Sequence, residues 1–361
     1  MCVAGILAIG SMLVVYPSKN YIDYIDFRVL ALLYSLMLVV AGLQKEGVFD
    51  ELLRLLTGFV HSSRQLYLIL VLANFVFSML ITNDVSLLTL VPFAIMVLHR
   101  TGQKKLLPFT IVMQTIAANL GSMCTPIGNP QNLYLYTVSD MEIGEFMRIL
   151  LPYTVGALVL LLGSALLVPS EKIKLPDMTI PSGKKANTGR RTVCYILLFG
   201  VCLLTILRIL PYGIMLLVVV AAIAVIQPIL FKRADYMLLL TFVAFFVFVG
   251  NVKNMEAARE LLNYYVTGRE LLISVALSQV ISNVPSAVLL SGFTDNYREL
   301  LIGTNLGGLG TLIASMASLI SYKLYVKTQE CDVKKYMLLF TFMNVLFLAV
   351  LTGVALITKI N

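Results

Sequence analysis

The chain has 361 residues, 59% hydrophobic and 13% charged, with 27 Lys and Arg against 19 Asp and Glu for a net charge of +8; its mean hydropathy is +0.91. A soluble domain carries roughly 45–50% apolar and about 25% charged residues, so this composition excludes a soluble globular enzyme. The excess positive charge lies in short loops between apolar runs, the pattern of the positive-inside rule, and excludes a nucleic-acid partner.

Apolar runs of membrane-spanning length recur along the chain, and full spans are expected near 1–16, 27–44, 106–137, 149–168, 192–209, 211–230, 234–250, 298–325 and 335–358. The run at Met1 lacks the basic start and small-residue cleavage site of a signal peptide and reads as a first membrane helix. Residues 65–98 form one apolar block between Arg64 and His99-Arg100. Folded at its centre it gives two arms of ~17 residues, about 25 Å each at 1.5 Å per residue. That is short of a roughly 30 Å hydrocarbon core, so a re-entrant hairpin is expected. Its midpoint falls on Thr82, Asn83 and Asp84 in "ITNDVSLLTLVP".

The next span, 106–137, contains "ANLGSMCTPIGNPQN", in which Gly121, Pro126, Gly128 and Pro130 stand among Asn119, Ser122, Thr125, Asn129 and Asn132. Proline removes a backbone donor and glycine lowers helicity, so this helix is expected to break. Residues 169–191, "PSEKIKLPDMTIPSGKKANTGRR", read as a solvated cytoplasmic linker. Beyond it, 271–294 lies between Arg269-Glu270 and Asp295 and centres on Ser282-Asn283, a second expected hairpin. The span 298–325 carries "GTNLGGLGT", which places Thr304, Asn305 and Gly308 at a second break.

The halves 1–168 and 192–361 echo each other. "DFRVLALLYSLMLVVAGLQKEGVFDELL" pairs with "DYMLLLTFVAFFVFVGNVKNMEAARELL", "ITNDVSLLTLVP" with "ISNVPSAVLLSG", and "ANLGS" with "TNLGG". An odd number of spans separates the equivalents, so the copies are expected to be inverted, with 192–209 unpartnered in the first half. The distribution of lysine and arginine puts the N-terminus in the cytoplasm and the C-terminus outside. The first hairpin then opens to the cytoplasm and the second outward.

Hairpins and broken helices at mid-membrane describe a secondary transporter with a midplane site. Half-helix carbonyls suit a cation and half-helix amides suit an anion. Close packing of small residues would explain one Gly-rich segment, but not four interruptions in matching places. Asp84 is the sole acidic residue between Glu51 and Asp140. A carboxylate near the bilayer centre costs about 2.5–3.5 kcal/mol, so it is expected to face a cavity or a partner. That place suits alternate binding of H⁺ and Na⁺, and a helix-capping role is compatible with it. Asn83, Asp84 and Asn283 are the candidate Na⁺ ligands, and Val284 stands where the second hairpin would repeat the carboxylate. Two histidines and five cysteines without Cys-x-x-Cys spacing offer no metal centre or disulfide framework. No residue is read as catalytic, and no cofactor is expected besides a coupling Na⁺ or H⁺.

The tips "TND" and "SNVP", the loop "GSMCTPIGNPQN" and the segment "LMLVVAGLQKEGVFDEL" resemble the ion transporter superfamily. Divalent-anion/sodium symporters, citrate permeases, arsenite permeases and some sodium/proton antiporters belong to it, and the likeness covers nearly the whole chain. It implies an all-α polytopic membrane protein of two inverted repeats, each with a re-entrant hairpin and a broken helix. It also implies an elevator mechanism, in which a mobile transport domain moves against a scaffold at a homodimer interface. Segments 45–62 and 251–266 then read as amphipathic arms. The symporter branch has Ser-Asn-Thr at both tips. By position this implicates Thr82, Asn83, Asp84, Ser282, Asn283 and Val284, with Gly121, Asn129, Asn132, Asn305 and Gly308 from the broken helices. Asp84 and Val284 depart from that Thr, and an Asn-Asp tip looks more like the arsenite permease and sodium/proton antiporter branches. The expected function is cation-coupled transport of a small anion, a di- or tricarboxylate or an oxyanion, across the cytoplasmic membrane. Na⁺/H⁺ exchange through Asp84 and arsenite-type efflux are the alternatives.

Overall fold

A computed structural model describes residues 2–16, 19–49, 51, 60–173, 189–329 and 331–360. Most of the linker expected at 169–191 and half of the first amphipathic arm lie outside the described residues. Helices dominate: α1 (Cys2–Met12), α2 (Phe27–Lys45), α3 (Ser63–Ile81), α4 (Asn83–Arg100), α5 (Leu107–Ser122), α6 (Pro130–Val138), α7 (Ile143–Ser164) and α8 (Arg190–Ile206). The series continues with α9 (Tyr212–Ile226), α10 (Tyr236–Lys253), α11 (Glu256–Val266), α12 (Glu270–Ile281), α13 (Asn283–Leu290), α14 (Tyr297–Leu306), α15 (Met316–Val326) and α16 (Val333–Ile360). Among the described residues there is no β-strand, only one isolated bridge between Ser62 and Lys172.

Helix starts follow local chemistry. Asp26, Ser62, Asn129, Asp235 and Asn296 each sit one residue before a helix and accept a backbone N–H from its first turn. This satisfies a donor that the helix itself cannot. The apolar faces then decide placement. Among the described helices, α2, α3, α7 with its 3-10 extension, α10 and most of α16 are long and apolar enough to cross a membrane. On α7, α8, α9 and α16 the outward faces expose Val159, Leu197, Leu217 and Leu338, while Leu161, Tyr195, Val219 and Phe340 on the same helices are buried. An apolar exterior over a packed interior marks a multi-pass membrane protein.

The arms of the first hairpin are 19 and 18 residues long, against the ~17 expected, because the Ser62 cap and the polar residues Arg64, His99 and Arg100 extend the helices past the apolar block. Those of the second are shorter, 12 and 8 residues. Helix α1 has 11 residues where a span over 1–16 is expected. The span expected at 106–137 is interrupted between Ser122 and Pro130, and that at 298–325 between Leu306 and Met316. The first arm of each hairpin, α3 and α12, crosses a broken helix at glycine. A Cβ on Gly121 would collide with Phe75 O, and one on Gly303 would collide with Ser274 Oγ and stand 2.6 Å from Leu271 O. These crossings bring the two tips beside the two breaks.

Candidate functional site

The two hairpin tips have the same backbone. Thr82 has φ 77° and ψ 148°, and Ser282 has φ 78° and ψ 156°. Residues with a Cβ rarely occupy this region, and doing so costs about 1–3 kcal/mol. At each tip the following asparagine secures the turn: Asn83 Oδ1 accepts Asp84 N–H, and Asn283 Oδ1 accepts Val284 N–H, both at 2.9 Å. Each asparagine N–H donates to a carbonyl in the adjacent break, Asn83 to Gly128 O and Asn283 to Ala314 O, again both at 2.9 Å. The strained turns are therefore held by the unwound segments they meet.

Behind the tips the two breaks join through asparagines. Asn119 Nδ2 donates to Gly308 O at 3.3 Å, while Asn119 Oδ1 accepts from Asn83 Nδ2 at 3.3 Å and from Ser315 Oγ at 2.8 Å. Asn129 Nδ2 reaches Ser122 Oγ and Asn305 Oδ1, and Asn305 Nδ2 reaches Asn132 Oδ1 at 2.6 Å. Asn132 Nδ2 collects the carbonyls of Ser122, Met123 and Thr125. In the second break, Gln279 Nε2 donates to Gly307 O and Leu309 O, and Gln279 Oε1 accepts Thr311 N–H. Buried polar groups require such partners, and here side chains supply what the interrupted helices lack.

The expected site residues thus divide into groups. Asn83, Asn129, Asn132, Asn283, Asn305, Ser122 and the Gly308 carbonyl meet in or beside the buried network. A Cβ on Gly308 would stand 2.9 Å from Asn283 Nδ2, so tip and break touch closely there. Gly121 serves the helix crossing. Thr125 Oγ1 donates to Met79 O and Thr304 Oγ1 to Leu300 O, so both hydroxyls are spent on backbone carbonyls. Asn83 Oδ1 likewise commits one lone pair to the hairpin turn, while Asn283 Oδ1 accepts both Val284 N–H at 2.9 Å and Ser282 Oγ at 3.4 Å. No cluster of three or more His, Cys, Asp or Glu occurs among the described residues.

Thr82, Asp84 and Asn129 face a cavity of about 350 Å³ bounded by α2, the first tip, the first break, the start of α10 and α15. Leu33, Leu36, Met37, Val40, Leu88 and Ile320 give it apolar walls; Gln44, Arg233 and Asp235 add polar groups. Asp84 is half-buried, and its Oδ1 is shielded from solvent without a hydrogen-bond partner. Gln44 Nε2 donates to Thr89 Oγ1 at 3.0 Å, tying α2 to α4 at the cavity edge. The opposite side is built differently. There α10 packs directly on α13, the rings of Tyr134, Phe242 and Phe246 lie 5.7–6.0 Å apart, and Tyr134 OH shares a 2.7 Å hydrogen bond with Ser291 Oγ.

Sequence reasoning did not select Gln44, Arg233, Asp235, Gln279 or Ser315. Arg233 counts there as one more loop charge, and Asp235 as the start of a repeated segment. The alignment of "ANLGS" with "TNLGG" was the one available signal for Asn119, as the counterpart of Asn305.

An all-helical multi-pass membrane protein with interrupted helices around a polar interior has the build of a transporter. The family model described as "Citrate transporter" matches residues 1–296. The chain is 30% identical over 328 residues to an uncharacterized transporter of Methanocaldococcus jannaschii, covering 88% of this chain and 87% of that protein. With inner membrane protein YbiR of Escherichia coli it shares 31% identity over 322 residues, 87% of this chain and 84% of that one. A shorter match, 35% over 130 residues, covers 36% of this chain and 26% of the silicon efflux transporter LSI3 of Oryza sativa subsp. japonica. The chain belongs to the citrate transporter family, within the ion transporter superfamily, and is a secondary transporter of the citrate/arsenite permease type.

Proposed function

We propose that the protein couples the movement of a small anion, a carboxylate or an oxyanion, to that of Na⁺ or H⁺ across the cytoplasmic membrane, with its N-terminus in the cytoplasm. The observation that carries this reading is the cavity in which Asp84, on a strained hairpin tip, presents an oxygen without a hydrogen-bond partner. A carboxylate held this way in a largely apolar cavity favours taking up a cation or a proton. The asparagine network behind it supplies neutral polar groups at the meeting point of two helix breaks, where half-helix dipoles stabilise opposite charges.

The halves are read as inverted repeats, supported by the matched tips, matched tip-to-break hydrogen bonds and matched glycine crossings. In that arrangement α3–α6 and α12–α15 form a transport domain, and α2, α10 and the outer helices form a scaffold in a homodimer. The open space between α2 and α4, set against the packed contact of α10 with α13, fits an elevator transporter with one side open. On the topology read from lysine and arginine, the open side is cytoplasmic.

Purified protein in proteoliposomes tests the reading. Uptake of a labelled carboxylate or oxyanion should depend on an imposed Na⁺ or pH gradient, and Asp84→Asn should abolish that dependence while remaining folded. Undiminished coupling in Asp84→Asn defeats the role given to Asp84. A second reading, efflux of a metalloid hydroxide, draws on the silicon efflux relative and on the two carboxylates facing the cavity. It predicts binding of a neutral solute without cation dependence.

A further inference from the structure

The cavity holds three charged side chains that come from two separate places. Asp84 arrives on the first hairpin tip, while Arg233 and Asp235 come from the end of the 3-10 segment Pro228–Arg233 and the cap of α10. The remaining lining residues are uncharged. Asp235 is already committed, since its Oδ1 accepts Leu238 N–H at 3.0 Å and caps α10. The Arg233 side chain makes no hydrogen bond or ion pair among the described residues, and Asp84 Oδ1 accepts none. Two complementary charges therefore face one cavity without meeting each other.

The geometry points to Arg233 as the anion-selecting residue and to a substrate that carries a single negative charge, bound together with one cation at Asp84. This inference rests on the transport reading and deepens it. Its logic is charge conservation within a poorly screened space. The empty cavity carries one net negative charge from Asp84, Arg233 and Asp235. A cation or proton on Asp84 brings that to zero, and one anionic group against Arg233 restores the starting charge. On the moving part, where Asp84 alone counts, the sum is the same: one negative charge when empty, and one again with a cation and a monoanion bound, so neither state traps the carrier. A dianion would add a negative charge that no cavity residue offsets, beside the carboxylate of Asp235. Like charges in a low-dielectric site repel strongly. Arginine suits the task because its planar fork binds a carboxylate or oxyanion through two parallel hydrogen bonds.

Other charged groups on the elements packed against α4 do not enter this count. Arg64 on α3 donates to Val168 O, and Lys104, Lys105 and Lys323 lie on the 3-10 segment before α5 and on α15. None of these lines the cavity.

Calorimetric titration of the full chain in detergent with two charge series tests the inference: succinate, monomethyl succinate and dimethyl succinate; and sulfate against methyl sulfate. Each titration is run with and without Na⁺ and at two pH values. The expected result is that the monoanion of at least one series binds ten-fold or more tighter than its dianion and, for succinate, than the neutral dimethyl ester. Na⁺ or acidification should strengthen that binding. Arg233→Gln should bring the monoanion down to the level of the neutral ester without lowering the melting temperature, and Arg233→Lys should recover part of the loss. Asp84→Asn should bind the monoanion with no dependence on Na⁺ or pH. Preference for the dianion, or unchanged monoanion binding in Arg233→Gln, overturns this inference while leaving small-anion transport standing. Failure of the folded wild-type protein to bind any of these anions overturns both, and tight binding of the neutral ester alone favours the neutral-solute reading.

Discussion

Replacing Thr82 by glycine should make the protein more stable and a poorer transporter. Thr82 holds φ 77° and ψ 148° at the first tip, a region where a Cβ crowds the backbone at a cost of about 1–3 kcal/mol. Glycine removes that crowding but gives up about 0.5–1 kcal/mol because it loses more freedom on folding. Thr82 is half-buried and its hydroxyl takes part in no hydrogen bond, so little else is lost. The balance favours glycine by about 1 kcal/mol, a rise of roughly 2–4 °C for a domain of a few hundred residues. Thr82→Ala separates backbone from side chain, because alanine keeps the Cβ and hence the strain, and its melting temperature should stay level or fall. Melting is followed by intrinsic tyrosine fluorescence in detergent, and transport by proteoliposome uptake. A fall in melting temperature for Thr82→Gly, or an equal rise for Thr82→Ala, would refute the claim that the tip stores backbone strain. Ser282→Gly should behave alike but gain less, since Ser282 Oγ also donates to Ala314 O at 3.3 Å.

Gly303→Ala should destabilise by about 1–3 kcal/mol or more, because the new methyl would meet Ser274 Oγ and the Leu271 backbone; Gly200→Ala, inside α8 with open space around it, is the control and should raise the melting temperature slightly. Asn305→Ala removes hydrogen bonds to Asn132 and Leu301 and leaves Asn129 Nδ2 with one partner fewer. A loss of about 1–3 kcal/mol is expected, and retention of the full wild-type melting temperature would show that the network is not holding the breaks together. Cysteines placed singly at Thr82 and Ser282 should label from opposite sides of the membrane, and labelling of both from one side would sink the inverted arrangement.

The turn positions were legible because each apolar block has charges at both ends and a polar pair at its centre, and the chain reverses at Thr82 and Ser282. The breaks were legible from proline and glycine clusters. Arm lengths were less so: charged residues such as Arg64 and Arg100 continue a helix once a cap such as Ser62 has started it, so an apolar count underestimates the first hairpin. The cavity charges were out of reach. Arg233 follows Lys232 in what reads as an ordinary positive loop. Only the packing of the 3-10 segment Pro228–Arg233 against α2 brings Arg233 to the cavity that the hairpin tip borders. Facing relations of this kind arise from tertiary placement and leave no local pattern.

The most informative contrast lies within the molecule. The two tips share their turn angles, the asparagine that caps the next residue, and the N–H bond to the neighbouring break. What is common to both is therefore explained by holding a strained turn in place, and it needs no ligand. The difference is the next residue, Asp84 in one tip and Val284 in the other. It coincides with the second difference, an open cavity beside α4 and a close-packed contact beside α13. A carboxylate is tolerated where water and a cation can reach it, and valine stands in the tip whose second arm packs directly on α10. If the closed side opened in turn, Val284 would present no charge there. Of the two tips, Asp84 alone would then carry the coupling charge, brought to that side by its own tip.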